Sequence, residues 1–158
     1  MAVKRRRTPR GPSLIERAVA AKVDREIREA IAVEVRSTFT SAQIHALTGS
    51  DSGEMVNKAG RMFFVVLGAA VADGLDPSLP EIRILRGAAN AVYDQAGEEV
   101  ITEASRASIV SGLLACERLL AELDFDSVTE SAFELHCLLE RGAVRWSDFE
   151  PLIEAVSA

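Results

Sequence analysis

Two histidines and two cysteines are the residues of this chain, besides its carboxylates, that could hold a metal ion. Zinc sites need three or four such ligands that converge on one point. His136 and Cys137 are neighbours, so on a helix their side chains point about 100° apart. His45 and Cys116 belong to other segments. We therefore expect two half-buried histidines, two core thiols, and no metal centre or other cofactor.

The run from Gly49 to Gly53 contains serines that resemble an activated nucleophile only at first sight. Nucleophilic catalysis needs a base and an orienting acid within reach, commonly at a sharp strand-to-helix turn. No strand pattern precedes this run, and a turn between helices explains its residues. Glycine-rich phosphate-binding patterns are also missing. We expect no catalytic residues and no enzyme, unless His136 and two carboxylates meet in the folded chain.

Basic residues are concentrated at the amino terminus, where five of the first ten residues are Lys4, Arg5, Arg6, Arg7 and Arg10. The whole chain has 18 basic and 24 acidic residues, so the remainder carries a net charge of about -11. Residues 1–12 have almost no apolar content, and we expect them to form a flexible, disordered arm. Such an arm is a candidate for weak, salt-dependent nucleic-acid contact that does not read sequence.

The segment from Thr40 to Arg61 has the order helix, glycine turn, helix that a helix-turn-helix motif requires. Its second helix offers Asn57, Lys58 and Arg61 to a DNA groove before it becomes wholly apolar at Met62. A core helix with a polar first turn explains the same residues better, because a recognition helix needs a longer polar face. A small DNA-binding transcriptional regulator therefore stands as the alternative function.

Helical periodicity dominates the rest of the chain. Apolar residues make up 48% and aromatic residues only 5%, so Ala, Leu, Val and Ile must build the core, which favours helices. No stretch alternates with period two between hairpin turns. We predict an all-α fold in which residues 13–158 form one domain. It is a bundle of six or seven helices around the apolar segment Met55–Ala72.

Capping patterns and glycines give the expected helix bounds. Thr40 with Gln43 resembles a capping box, so we expect the first helix to end before Phe39. Ser127 with Glu130 predicts another helix start. The seven predicted helices cover about 24 residues from Ser13, then 40–48, 51–73, 80–96, 102–123, 127–141 and 147–156.

The first predicted helix carries Ile or Val at every fourth position: Ile15, Val19, Val23, Ile27, Ile31 and Val35. A helix of about 24 residues is about 35 Å long, which exceeds what a small bundle needs to cover its core. Part of this stripe is therefore expected to meet another chain. We take these six residues as the candidate partner-binding surface.

These observations favour a non-enzymatic protein that binds a partner protein or its own copy. We expect an accessory, inhibitor or adaptor protein, such as a bacterial mobile element would encode. Arg outnumbers Lys by 15 to 3, which is typical of GC-rich bacterial genes. No secretory pattern follows the basic run, and the longest run of apolar residues, 62–72, is too short to span a membrane. We expect a cytoplasmic oligomer without a membrane partner.

Overall fold

The computed structural model describes residues 14–48, 52–142 and 146–157. These residues form six helices and no strand, which confirms the all-α prediction. The basic arm of residues 1–12 and the Gly49–Asp51 turn lie outside the described residues. The helices are α1 (Leu14–Thr48), α2 (Ser52–Ala72), α3 (Pro80–Gln95), α4 (Glu103–Leu120), α5 (Phe125–Glu140) and α6 (Trp146–Ala155).

Helix α1 is uninterrupted over 35 residues, so the predicted break near Phe39 is wrong. Thr40 and Gln43 match a capping box by type and spacing, but the same spacing occurs inside helices. Phe39, Ala42 and Ala46 continue one face of α1 onto the core. Because that packing covers both sides of the expected break, the helix continues through it.

Helix α2 contacts each of the five other described helices. All its side chains from Met62 to Leu67 are buried. A helix that is apolar on every side is stable only when neighbours cover every side. By length and composition residues 53–72 would suffice to cross a membrane, yet 67% of the window is buried inside the protein. Most of its apolar surface is thus covered by the chain's own helices.

Helix α2 ends in a Schellman motif, as the sequence predicts. Gly74 has a φ of 65°, in the left-handed region that favours glycine. The backbone N–H of Leu75 donates to the carbonyl oxygen of Ala70 at 3.0 Å, and that of Gly74 donates to Val71 at 3.1 Å. These two bonds satisfy carbonyls that the helix end would leave unpaired.

The turn after α2 is closed by Asp76, whose carboxylate accepts a hydrogen bond from the backbone N–H of Ser78 at 2.8 Å. Hydrogen bonds from the backbone and side chain of Ser78 hold the pKa of Asp76 below its usual value of 3.8. Pro80 then begins α3. Its missing N–H costs nothing there, because the first helical residues have no intrahelical acceptor.

Helix α4 approaches α2 and α3 closely at Gly112. A Cβ atom there would lie 2.3 Å from the Cβ of Ala88 and 2.8 Å from the Cζ of Phe63. Only glycine permits this approach, because any side chain would overlap both neighbours. The helix begins after its N-cap Thr102, as predicted, but ends at Leu120 rather than Leu123.

Helix α5 begins before the predicted cap Ser127, at the N-cap Asp124. The carboxylate of Asp124 accepts a hydrogen bond from the backbone N–H of Asp126 at 2.7 Å. The hydroxyl of Ser127 instead donates to Asp73, just beyond the end of α2. Asp73 also accepts the backbone N–H of Asp124 at 2.7 Å. This carboxylate therefore joins the end of α2 to the start of α5.

Candidate functional site

The candidate partner-binding stripe on α1 divides into two parts. Val23 and Ile27 are 47% and 49% exposed, and every side chain described between residues 17 and 27 is exposed. Ile31 and Val35 are half-buried and pack against the core of the same chain. The side chains of Ile15 and Val19 lie outside the described residues. The first part is thus exposed, whereas the second part is partly covered by the core of the same chain.

Six charged residues in the first half of α1 form three ion pairs with one another. Residues 14–31, the first half of α1, contain four basic and four acidic side chains, whereas residues 32–158 contain 9 basic and 20 acidic side chains, a net charge of -11. Three pairs four residues apart join Lys22 to Glu26 at 3.7 Å, Arg25 to Glu29 at 4.0 Å, and Arg28 to Asp24 at 3.1 Å. Exposed ion pairs of this kind each stabilise a helix by a few tenths of a kcal/mol.

Arg28 also joins α1 to α5. Its Nη1 forms an ion pair and hydrogen bond with the carboxylate of Asp126. The side chain of Arg28 is 34% exposed and that of Asp126 is 66% exposed. This contact marks where α1 leaves solvent and meets the other helices.

Beyond Ile27 the exposed stripe runs into a groove between α1, α2 and α5. The groove has a volume of about 240 Å³ and is lined mainly by apolar side chains, among them Ile31 and Val35. Phe133 stands on the opposite wall and is 52% exposed. Val23, Ile27 and this groove with Phe133 form one continuous apolar region, which we name the α1 surface.

The three candidate nucleic-acid contacts on α2 do not share one exposed face. The Nζ of Lys58 lies 3.3 Å from the Glu54 carboxylate and donates to the hydroxyl of Ser41 on α1 at 2.7 Å. Asn57 and Arg61 instead line a cleft between α2, α3, α5 and α6. Lys58 therefore serves the packing of α1 on α2, and the other two face a concave site.

That cleft has a volume of about 580 Å³ and one aromatic wall. The rings of Tyr93 and Trp146 have centroids 4.5 Å apart, and those of Trp146 and Phe149 are 5.9 Å apart and almost parallel, at 13°. Tyr93 and Trp146 are the only tyrosine and tryptophan of the chain. No local spacing relates a residue of α3 to one of α6, so this pair is not recognisable from the sequence.

Arg61 lies at the junction of the groove and the cleft, since it lines both. Its Nε atom is buried and has no hydrogen-bond acceptor within the described part of the chain. None of the ion pairs among the described residues involves its guanidinium. Arg61 was a candidate DNA contact only in the alternative function, and the fold places it on the wall of these two cavities.

The residues considered for metal binding lie apart. His45 is on α1, Cys116 on α4, and His136 and Cys137 on α5. No cluster of three or more His, Cys, Asp or Glu side chains able to hold a metal exists among the described residues. Cys116 is fully buried, and that burial raises the pKa of its thiol. His136 is exposed, with its Nε2 3.3 Å from the carboxylate of Glu140.

The chain matches no protein-family model, no curated protein and no solved structure. Comparison with known proteins therefore assigns no function, and the α1 surface and the cleft are the features that bear on it.

Proposed function

We propose that this protein is a non-enzymatic interaction protein that binds protein through the α1 surface. The observation that carries the proposal is the exposure of Val23 and Ile27 in a part of α1 where every described side chain is exposed. An amphipathic helix that lies in an apolar groove is a recurrent mode of protein recognition. The α1 surface supplies both such a helix and such a groove.

In the proposed contact the groove must also be buried, because Val23 and Ile27 alone supply too little binding free energy. Full burial of a Val or Ile side chain is worth about 1.5–3 kcal/mol relative to full exposure. Val23 and Ile27 are already half-covered, so together they supply about half of what two such residues can. A micromolar complex needs about 8 kcal/mol. Phe133 and the groove walls must therefore be covered in the same contact.

A second copy of the chain is the occupant that the charges favour. Each copy carries a net charge of -6, so two copies repel one another over most of their surfaces. The first half of α1 has no net charge, and six of its charged residues form ion pairs within the helix, so it can approach its copy with the least repulsion. Apolar residues spaced by four form the ridges of helix pairs that cross at about -50°. We propose a two-fold dimer with that contact.

The proposed arrangement also uses the rest of the chain. Residues 13–158 would form one bundle around α2, which is supported by the contacts of α2 with the other described helices. Residues 1–12 would form a flexible arm with five basic residues. Opposite charge on the arm and on the acidic remainder favours a contact between the arm of one copy and the body of the other.

Light scattering coupled to size exclusion tests the dimer. We expect a dimer mass for the wild type and a monomer mass for Ile27→Asp, because the new carboxylate would be buried in the contact. Ala21→Asp is the matched control, since it adds the same charge to an exposed site on the other side of α1. A monomeric wild type would contradict the dimer. A dimer that survives Ile27→Asp would contradict the proposed contact through the α1 surface.

The alternative function, a small DNA-binding regulator, makes a different prediction. It requires retardation of duplex DNA at low salt, weaker binding as salt rises, and a salt slope that falls by a few units when residues 2–10 are removed. No described residue of α2 offers an exposed basic face for this role. Retardation that depends on the arm, with a wild type that stays monomeric, would replace the proposed function with this one.

A further inference from the structure

The cleft between α2, α3, α5 and α6 is large enough to hold a small molecule and lies apart from Val23 and Ile27. Its volume of about 580 Å³ falls within the usual range of ligand sites, about 300–1,000 Å³. Most of its lining is apolar, and its polar groups include those of Arg61, Asn57 and Gln95 and the carboxylates of Glu98 and Glu99. An apolar cavity with few polar groups is the common composition of a specific ligand site.

Arg61 is the group in this cleft that lacks a partner. A buried nitrogen of a guanidinium without an acceptor is costly, and buried polar groups in folded proteins are almost always satisfied. Within the described part of the chain its Nε has no acceptor. The guanidinium as a whole forms no ion pair among the described residues, and a carboxylate is its natural partner because two carboxylate oxygens match the guanidinium fork and accept two parallel hydrogen bonds. Asn57, one turn earlier on α2, adds an exposed amide at the same wall.

The aromatic wall of Tyr93 and Trp146 determines which chemical group fits beside it. Tyr93 is 55% exposed although Trp146 lies against it with a centroid distance of 4.5 Å. A flat apolar group placed in the cleft would cover these rings and stack on them. The chain has few aromatic residues, and its only tyrosine and tryptophan meet here. The wall therefore favours a planar or aromatic body over a sugar or a polar chain.

Two exposed carboxylates in the cleft disfavour strongly anionic ligands. Glu98 and Glu99 line the cleft and are exposed. They repel phosphates, nucleotides and nucleic acid, each of which carries several negative charges or presents them at the surface. A ligand with a single carboxylate, paired with Arg61, and an otherwise neutral body is repelled less by Glu98 and Glu99.

We infer that the cleft binds a small organic acid with one carboxylate, which pairs with Arg61, and a flat apolar body, which lies against Tyr93 and Trp146. The inference is argued from the cleft, which Val23 and Ile27 do not line, although Arg61 also lines the groove of the α1 surface. It gives the protein a small-molecule ligand in addition to its protein contact.

Calorimetric titration with three acids tests this site: benzoate, 3-phenylpropionate and 2-naphthoate, each compared with its neutral amide. We expect at least one acid to saturate the full-length protein with a dissociation constant of about 10 μM to 1 mM. Its amide should bind at least about tenfold more weakly, because a hydrogen bond to a charged group is lost. The fluorescence of Trp146, the single tryptophan, should change with acid concentration and give the same dissociation constant.

Variants assign the binding to the cleft. Arg61→Met should weaken the acid at least about tenfold, and Tyr93→Leu should weaken it a few-fold through loss of stacking. Arg83→Met is the matched control, since Arg83 is exposed on α3 and does not line the cleft. Ile27→Asp should bind the acid as the wild type does. If Arg61→Met does not fold, Arg61→Lys and Tyr93→Leu decide, because Lys keeps the charge but loses the fork.

Three results would overturn the inference. The first is that none of the three acids saturates below about 10 mM. The second is that an amide binds as tightly as its acid, which would leave Arg61 without a role. The third is that both Arg61→Lys and Tyr93→Leu bind the acid with wild-type affinity.

Discussion

The first half of α1 and the middle of α2 are both regular helices with frequent apolar residues, but they have opposite surroundings. All described side chains between residues 17 and 27 of α1 are exposed. Those from Met62 to Leu67 of α2 are at most 2% exposed. The difference lies in what separates the apolar residues: paired charges in α1, and further apolar residues in α2.

This contrast shows how far an apolar stripe determines burial. A stripe bordered by charges can be covered by its own chain, as at Ile31 and Val35, or left open, as at Val23 and Ile27. Periodicity is the same in both places. Whether the stripe is covered depends on where the other helices end. They leave the described side chains of residues 17–27 of α1 exposed.

The largest effect should come from a core truncation in α2. Phe63→Ala should lower the free energy of unfolding by about 3–5 kcal/mol, because Phe63 is fully buried and leaves a cavity. Val23→Ala should change it by less than about 0.5 kcal/mol in either direction, since Val23 is half-exposed. Urea unfolding in the Ile27→Asp background measures both without a contribution from association. Equal losses would show that the two regions do not differ.

A smaller effect should come from the point where the two regions join. Arg28→Ala should lower the free energy of unfolding by about 0.5–1 kcal/mol at low salt, because Arg28 pairs with Asp126 across α1 and α5 while both remain partly exposed. The loss should shrink in about 1 M salt, where exposed charges are screened. Arg25→Ala is the control, since Arg25 pairs with Glu29 within α1. A double-mutant cycle with Asp126→Ala isolates the pair, and zero coupling would contradict this contact.

The smallest effect should come from the turn that ends the buried region. Asp76 has a pKa lowered by the hydrogen bonds of Ser78, so its carboxylate stabilises the folded state above its ordinary pKa of 3.8, and this contribution is lost as pH falls through the lowered value. Asp76→Ala should therefore be less stable than the wild type at neutral pH, and the difference should disappear in strong acid. Urea midpoints of both proteins across this pH range measure it. A difference independent of pH would assign the effect to the turn geometry instead of the charge.

Local patterns predicted the helices where a local interaction decides the structure. Gly74 and Pro80 were correct signals, because a left-handed residue and a missing N–H act within one turn of chain. Thr40 and Ser127 were wrong signals. Packing of Phe39 and Ala42 on the core continues α1 past Thr40, and Asp73, far away in sequence, bonds Ser127.

The functional surfaces were predictable only in part. Spacing identified Val23 and Ile27 as members of an apolar stripe, which the structure leaves exposed. It did not separate them from Ile31 and Val35, because burial depends on α5 and its position relative to α1. The cleft at Arg61 was not predictable, since its walls come from four helices whose relative positions no local pattern gives.

The unbroken length of α1 also governs how the protein moves through solution. Thirty-five residues of helix extend about 52 Å, which is longer than the diameter of a compact particle of this mass. Such a rod increases friction and slows end-over-end tumbling. A single subunit would therefore elute early from a gel-filtration column and mimic a larger species, so its stoichiometry must be read from mass, by scattering or sedimentation equilibrium, and not from elution volume.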